Sequence, residues 1–159
     1  MIKIKKSPNA DSRTAEGGIS KEELLRSTWL HISDVQQALA FMAEKLIGIG
    51  LAHDHTKISG IDQFYADFAS GRQGADFKQL GWFSGQHLTE RHHLTDRVPD
   101  DVNLFDVLER VADITVAGMA RSGEVYDDCL DGELLQRAYR NTVDLLKKEI
   151  EVFEEGSDD

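Results

Sequence analysis

Six histidines are the side chains best suited to chemistry near neutral pH in this chain, and one is followed directly by a carboxylate. The stretch reads Gly50-Leu51-Ala52-His53-Asp54-His55-Thr56-Lys57-Ile58. A buried imidazole beside a carboxylate is costly unless something compensates both, and a divalent metal ion does so with ligands it prefers. First-row ions take imidazole nitrogen and carboxylate oxygen from several directions at once. Two further residues suit that role: His31, on an apolar stripe upstream, and Asp113, the one charged residue between Val111 and Ala120.

The expected ligand set is therefore His31, His53, Asp54 and Asp113, holding Mn, Fe, Co, Ni or Zn. In an octahedral shell such a set leaves room for water or substrate, which is the mark of a catalytic rather than a structural site. A metal-bound water ionises near neutral pH and becomes a nucleophile. Lys57 is placed to reach a phosphate oxygen beside the ion. Each residue also has a plainer reading: His31 as a hydrogen-bonded core side chain, Asp113 as a carboxylate pairing helices. The metal reading rests on their occurring together.

A second His-rich run follows at His87, His92 and His93, with Arg91 among them. These histidines are open between metal ligation, support of the first ligands and plain exposure. Neighbours such as His92 and His93 are expected to face different ways. Arg91 is a candidate for substrate phosphate.

The elements that must carry these residues read as helices. Ser20-Lys21-Glu22-Glu23 is a capping box opening a helix. Its stripe is Leu24, His31, Val35, Ala38, Met42 and Leu46, and Gly48 and Gly50 are expected to end it. A short buried helix is expected over 51–58, and another from Ser59-Gly60-Ile61-Asp62 to Gly71. A further helix runs from about Ala75 through Phe77, Trp82 and Phe83 towards His87 and His93, weakened by Gly81 and Gly85. Trp29, Trp82 and Phe83 are expected in the core. Pro99-Asp100-Asp101 opens the helix that carries Asp113 to about Arg121. Asp131 caps the last, with Leu135, Tyr139, Thr142, Leu146, Ile150 and Phe153 as its stripe. Ile2 and Ile4 alternate with Lys and could add a short strand. The fold class is all-α: a single-domain bundle of about five to seven helices. Residues 1–19 are expected to be a flexible lead-in, 20–155 the helical metal-binding domain and 156–159 an acidic tail.

The order His31-Ile32-Ser33-Asp34-Val35, then Leu51-Ala52-His53-Asp54-His55-Thr56-Lys57, then Val111-Ala112-Asp113-Ile114 resembles the HD superfamily of metal-dependent phosphohydrolases. The likeness covers roughly residues 24 to 121. Within that group it looks closest to a small HD-like family of unknown function from bacteria and phages, with His53 to Ser59, Trp82 to His93 and Ala112 to Ala120 carrying the match. The resemblance implies an HD-like bundle, metal ligands at His31, His53, Asp54 and Asp113, and a second ion held by His87, His92 or His93. It departs at His55, where a small or apolar residue is more usual. The acid-base carboxylates of nucleotidase members have no fixed counterpart, with Asp62 and Glu90 as candidates.

At 159 residues and net charge −11, from 29 acidic against 18 basic residues, the chain is large enough for one core and poorly suited to a long nucleic acid. The single Cys129, set among acids, excludes an intrachain disulfide and a cysteine zinc cluster. No apolar run matches a membrane span and no secretory signal is present, so the expected location is cytoplasmic. The apolar face of the last helix is compatible with a homodimer. The leading expectation is a hydrolase using metal-activated water on a small, nucleotide-sized phosphoester. The alternatives are a non-catalytic, metal-stabilised binding protein, or a di-iron oxygenase on the same scaffold.

Overall fold

A computed structural model describes residues 1–6 and 18–154. The expectations for the rest of the lead-in and for the acidic tail lie outside the described residues. The described chain is all-α apart from two short strands, and it divides into two compact units: Met1–Lys45 with Val143–Asp159, and Leu46–Thr142. Among the described residues no helix is long and apolar enough to cross a membrane.

The first unit holds the strand β1 (Ile2–Lys5), most of helix α1 (Lys21–Ala52), the end of helix α6 (Gly132–Glu149) and the strand β2 (Ile150–Phe153). β1 and β2 pair in parallel, with Ile2 opposite Ile150 and Ile4 opposite Val152. Alternation of Ile with Lys is what a half-buried strand requires, and Ile2 is buried. The first residues are thus a strand rather than part of a flexible lead-in. The last helix stops at Glu149 because Ile150-Glu151-Val152-Phe153 has the same alternation and gains ladder bonds from β1. At the start of α1, Ser20 Oγ accepts from Glu23 N at 3.2 Å and Glu23 Oε2 accepts from Ser20 N at 2.8 Å, forming the expected capping box. Trp29, expected in the core, is 62% exposed.

In the second unit α1 runs through Gly48 and Gly50, since isolated helical glycines cost only about 1 kcal/mol each. It stops at Ala52, two residues short of Asp54, which takes the left-handed conformation with φ 55°. Helix α2 (His55–Ser59) and helix α3 (Ile61–Arg72) follow. The short helix expected over 51–58 is therefore a helix end, a turn and a new start, and α2 has no buried residue. At the α2–α3 junction Gly60 is required: a Cβ there would come 2.4 Å from Trp82 Nε1.

The single helix expected from Ala75 to His93 is instead a 3-10 turn (Phe77–Gln79), the five-residue α4 (Gly81–Gly85), a second 3-10 turn (His87–Thr89) and irregular chain. Gly81 and Gly85 weaken helix there, and the aromatic rings pack better in the broken form. Phe77 lies 4.2 Å from Phe83, Phe64 lies 5.3 Å from Trp82, and Trp82 stacks on His87 at 6.0 Å.

Helix α5 (Leu104–Ser122) is capped by Asn103, whose Oδ1 accepts from Phe105 N at 2.9 Å, while Asp106 Oδ2 accepts from Asn103 N at 2.8 Å. Gly123, at φ 77°, ends it. Leu94, Val102 and Ala138 form the nearby core. The inward face of α6 is Leu134, Ala138 and Thr142, and Thr142 Oγ1 accepts from Leu104 N at 2.8 Å. Tyr139, expected on that face, is 56% exposed.

Candidate metal centre

The site lies wholly in the second unit and is built from the α1–α2 turn, the irregular segment around His87–His93 and one face of α5. His53 and Asp54 are not consecutive residues of one helix. They form the turn between α1 and α2, where Asp54 takes the left-handed backbone conformation. A positive φ outside glycine costs energy and persists where the surroundings hold it. Here Glu90 does so: its carboxylate accepts from Asp54 N at 3.0 Å, from Thr56 N at 3.0 Å and from the Thr56 hydroxyl.

Around Asp54 two of the imidazoles, His53 and His87, are arranged alike, with Nδ1 engaged outward and Nε2 turned in. His53 Nδ1 donates to Glu109 Oε1 at 2.9 Å, so its Nε2 carries the lone pair, 3.7 Å from Asp54 Oδ2 and 3.7 Å from Asp113 Oδ1. The Thr56 hydroxyl gives its proton to Glu90 and so accepts from His87 Nδ1 at 3.0 Å; His87 Nε2 is left as acceptor, 3.8 Å from Asp54 Oδ1. His92 Nδ1 sits 3.0 Å from Glu109 Oε1 without hydrogen-bond alignment, and its Nε2 is 3.6 Å from Asp54 Oδ1. His93 Nε2 lies 3.0 Å from His87 Nε2. Outward carboxylates that fix imidazole tautomers are the usual support of metal-ligating histidines.

Among the described residues three buried side-chain atoms lack a hydrogen-bond partner, Trp82 Nε1, His92 Nδ1 and Asp54 Oδ1, and the last two belong to this cluster. Asp54 Oδ1 is buried and has no hydrogen-bond partner, although His87 and His92 aim their Nε2 atoms at it. A buried carboxylate oxygen left so is expensive unless a cation meets it. Three groupings bring ligand atoms within 4.8 Å of one another: His53, His92 and Asp113; Asp54, His92 and His93; and Asp54, His87 and Glu90. They can hold a metal ion, and the donor mixture of imidazole and carboxylate fits Mn, Fe, Co, Ni or Zn.

The electrostatics agree. Burial pushes His93 down to about 4, helped by His92 and His87, so it is neutral and ligand-ready at neutral pH. His87 is lowered by burial and by Lys57. Burial opposes charge on His92, but Glu109, Asp54 and Asp113 together raise its pKa. For Asp54, burial is outweighed by Lys57 and the neighbouring histidines, and the carboxyl is held below its usual range.

Of the residues expected from the sequence, the structure gathers His53, Asp54, Asp113, His87, His92, His93 and Glu90. His92 and His93 both reach the cluster, rings 4.4 Å apart, because the chain there is irregular rather than helical. His31 is on α1 in the first unit and belongs to none of the groupings. Lys57 is bound to Asp54 Oδ2. Arg91 is committed elsewhere: its Nε and Nη2 grip Asp106 at 2.6 and 2.8 Å, and its Nη1 donates to Asp101 at 2.9 Å. Glu90 braces the turn, and its hydrogen bonds from Thr56 hold its pKa low against the effect of burial, which ill suits a general acid. Asp62 is exposed on α3, outside every grouping. The residue that sequence reasoning missed is Glu109. It lies one turn before Asp113 on the same face of α5, a spacing that could have revealed it.

Fold and site thus define an all-α protein with a His- and carboxylate-rich cluster able to bind metal. No family model, curated protein or solved structure matches the chain.

Proposed function

We propose that this protein is a metal-dependent phosphohydrolase acting on a small phosphoester, in keeping with the resemblance of its His-Asp pattern to the HD superfamily. The observation that carries the reading is the buried, unpartnered Asp54 Oδ1, ringed by inward-facing imidazole Nε2 atoms. Asp54 Oδ1 faces His87 and His92, and Oδ2 lies near His53 and is bound by Lys57, so Asp54 and these histidines would hold the ion. A bound divalent metal would supply a Lewis acid and a water acidic enough to ionise near neutral pH. The chain's part is to hold and orient. Glu109 fixes His53, Thr56 and Glu90 fix His87, and Asp113 closes the cluster on the side of a cleft of about 630 Å³ that admits a substrate. Lys57 lines the same cleft and offers a cation to phosphate.

A second reading, a metal-stabilised binding protein without turnover, is favoured by one observation: both expected phosphate cations, Lys57 and Arg91, already have carboxylate partners.

Metal content by mass spectrometry on protein purified without a His tag tests both. About one or two equivalents of a first-row metal, lost in Asp54→Ala with helix content retained, are expected; full occupancy in that variant would remove Asp54 from the site. Hydrolysis of phosphoesters by the loaded protein supports the first reading, and metal without turnover the second.

A further inference from the structure

The cleft beside the cluster has a chemical character of its own. One wall is the end of α1, with Leu46 and Ile49; the other is α5, with Leu108, Ala112, Val116 and Ala117. On both helices the lining residues recur at spacings of three and four, so each presents one continuous face. At one end the cleft opens on His53, Asp54 and Asp113; at the other it reaches Arg121, eight residues along α5 from Asp113 and so ~12 Å away. On α5 the lining residues between Asp113 and Arg121 are Val116, Ala117 and Ala120, whose side chains carry no hydrogen-bonding group, while Lys57 and Glu109 line the cleft at its metal-cluster end, bound to Asp54 and His53. Arg121 Nη1 is itself engaged with Tyr126 Oη at 3.1 Å.

We infer that the cleft selects a phosphomonoester whose ester group is a hydrocarbon, aryl or alkyl, rather than a nucleoside or a polyol. Sugar hydroxyls or the edge of a base laid along these walls would lose water and find no partner, which is costly. A flat hydrocarbon would instead cover Leu46, Ile49 and Val116 while its phosphate meets the Asp54 end. The selection is for the body of the substrate and rests on the phosphoester reading above.

The test is affinity, not turnover. Zinc-loaded protein is titrated with 1-naphthylphosphonate and with methylphosphonate, which share a non-hydrolysable head and differ in body. The naphthyl compound is expected to bind about tenfold tighter or more. Ala117→Trp, which fills the cleft, should erase that difference and leave zinc stoichiometry and methylphosphonate affinity unchanged. Val116→Gln keeps the test open should Ala117→Trp misfold, because Val116 is 67% exposed and tolerates a polar side chain; without added charge it should weaken naphthyl binding selectively. Equal affinity for the two phosphonates, or variants that change neither, would overturn the assignment of the cleft while leaving the phosphate site standing. Zinc uptake with no binding of either phosphonate would overturn the phosphoester reading, and this inference with it.

Discussion

A carboxylate hydrogen-bonded to an imidazole decides which nitrogen the ring presents. Glu109 Oε1 accepts from His53 Nδ1 at 2.9 Å and so turns that ring's Nε2 towards Asp54, and it also lies 3.0 Å from His92 Nδ1. Burial alone would raise the Glu109 carboxyl, yet the two rings keep it below the usual range and therefore ionised. Glu109→Gln keeps the shape, but its amide can donate to a ring lone pair and favour the wrong tautomer. Metal affinity is expected to fall about 10–100-fold, read by competition with a chromophoric chelator, with the circular dichroism unchanged. Unaltered affinity would exclude Glu109 from the site. His53-Asp54 was legible because an apolar lead into two polar groups is a local signal. Glu109 carries no such signal because it sits among other charges, Asp106 and Arg110, whereas Asp113 is the one charged residue between Val111 and Ala120. His31 shared a stripe with apolar residues, but stripe membership does not measure distance along a helix that fails to end at Gly50.

At the scale of elements, α5 depends on how the chain after it is held. A Cβ on Gly118 would lie 2.5 Å from Glu124 O and 2.9 Å from Tyr126 N, both backbone atoms with little freedom to yield. Gly118→Ala should destabilise the protein by about 1–3 kcal/mol in urea unfolding. Asp128, ten residues beyond Gly118, is gripped by Arg110 through Nε at 2.8 Å and Nη2 at 2.6 Å, while Arg110 Nη1 donates to His92 O at 3.2 Å. This guanidinium holds the Asp128 carboxyl below its ordinary value. A carboxyl whose folded pKa is depressed stabilises the fold above its unfolded value and loses that contribution as pH falls through the folded one. Wild type should therefore melt above Asp128→Asn at pH 6, and the gap should close in acid below the ordinary aspartate value of about 3.9. A gap constant with pH would mean that charge on Asp128 contributes nothing. Helix ends with chemical punctuation were legible here, as at Ser20 and Gly123. The end of α1 was not, because it is set by the backbone of Asp54 and its contact with Glu90, which no local pattern encodes.

For the whole molecule the question is whether a cation acts by coordination or by relieving charge. With a net charge of −11, any divalent ion could raise stability somewhat by neutralising carboxylates. The cluster makes a narrower demand. Its inward atoms are imidazole nitrogens as well as carboxylate oxygens, and nitrogen donors favour zinc, cobalt or manganese over calcium, which takes oxygen ligands. A ligand that binds only the folded state stabilises it by mass action, about 2.7 kcal/mol at a hundred times its Kd. For a chain of this length that corresponds to roughly 5–10 °C in Tm. Zinc should therefore raise the melting temperature by about that amount, excess chelator should reverse the rise, and calcium at the same concentration should do far less. Asp54→Ala, which keeps nearly all the net negative charge, should lose the zinc response and keep the small calcium one. An equal rise with both ions, or a zinc response surviving in Asp54→Ala, would mean that the histidines face Asp54 for packing alone and that the ions act on the surface charge.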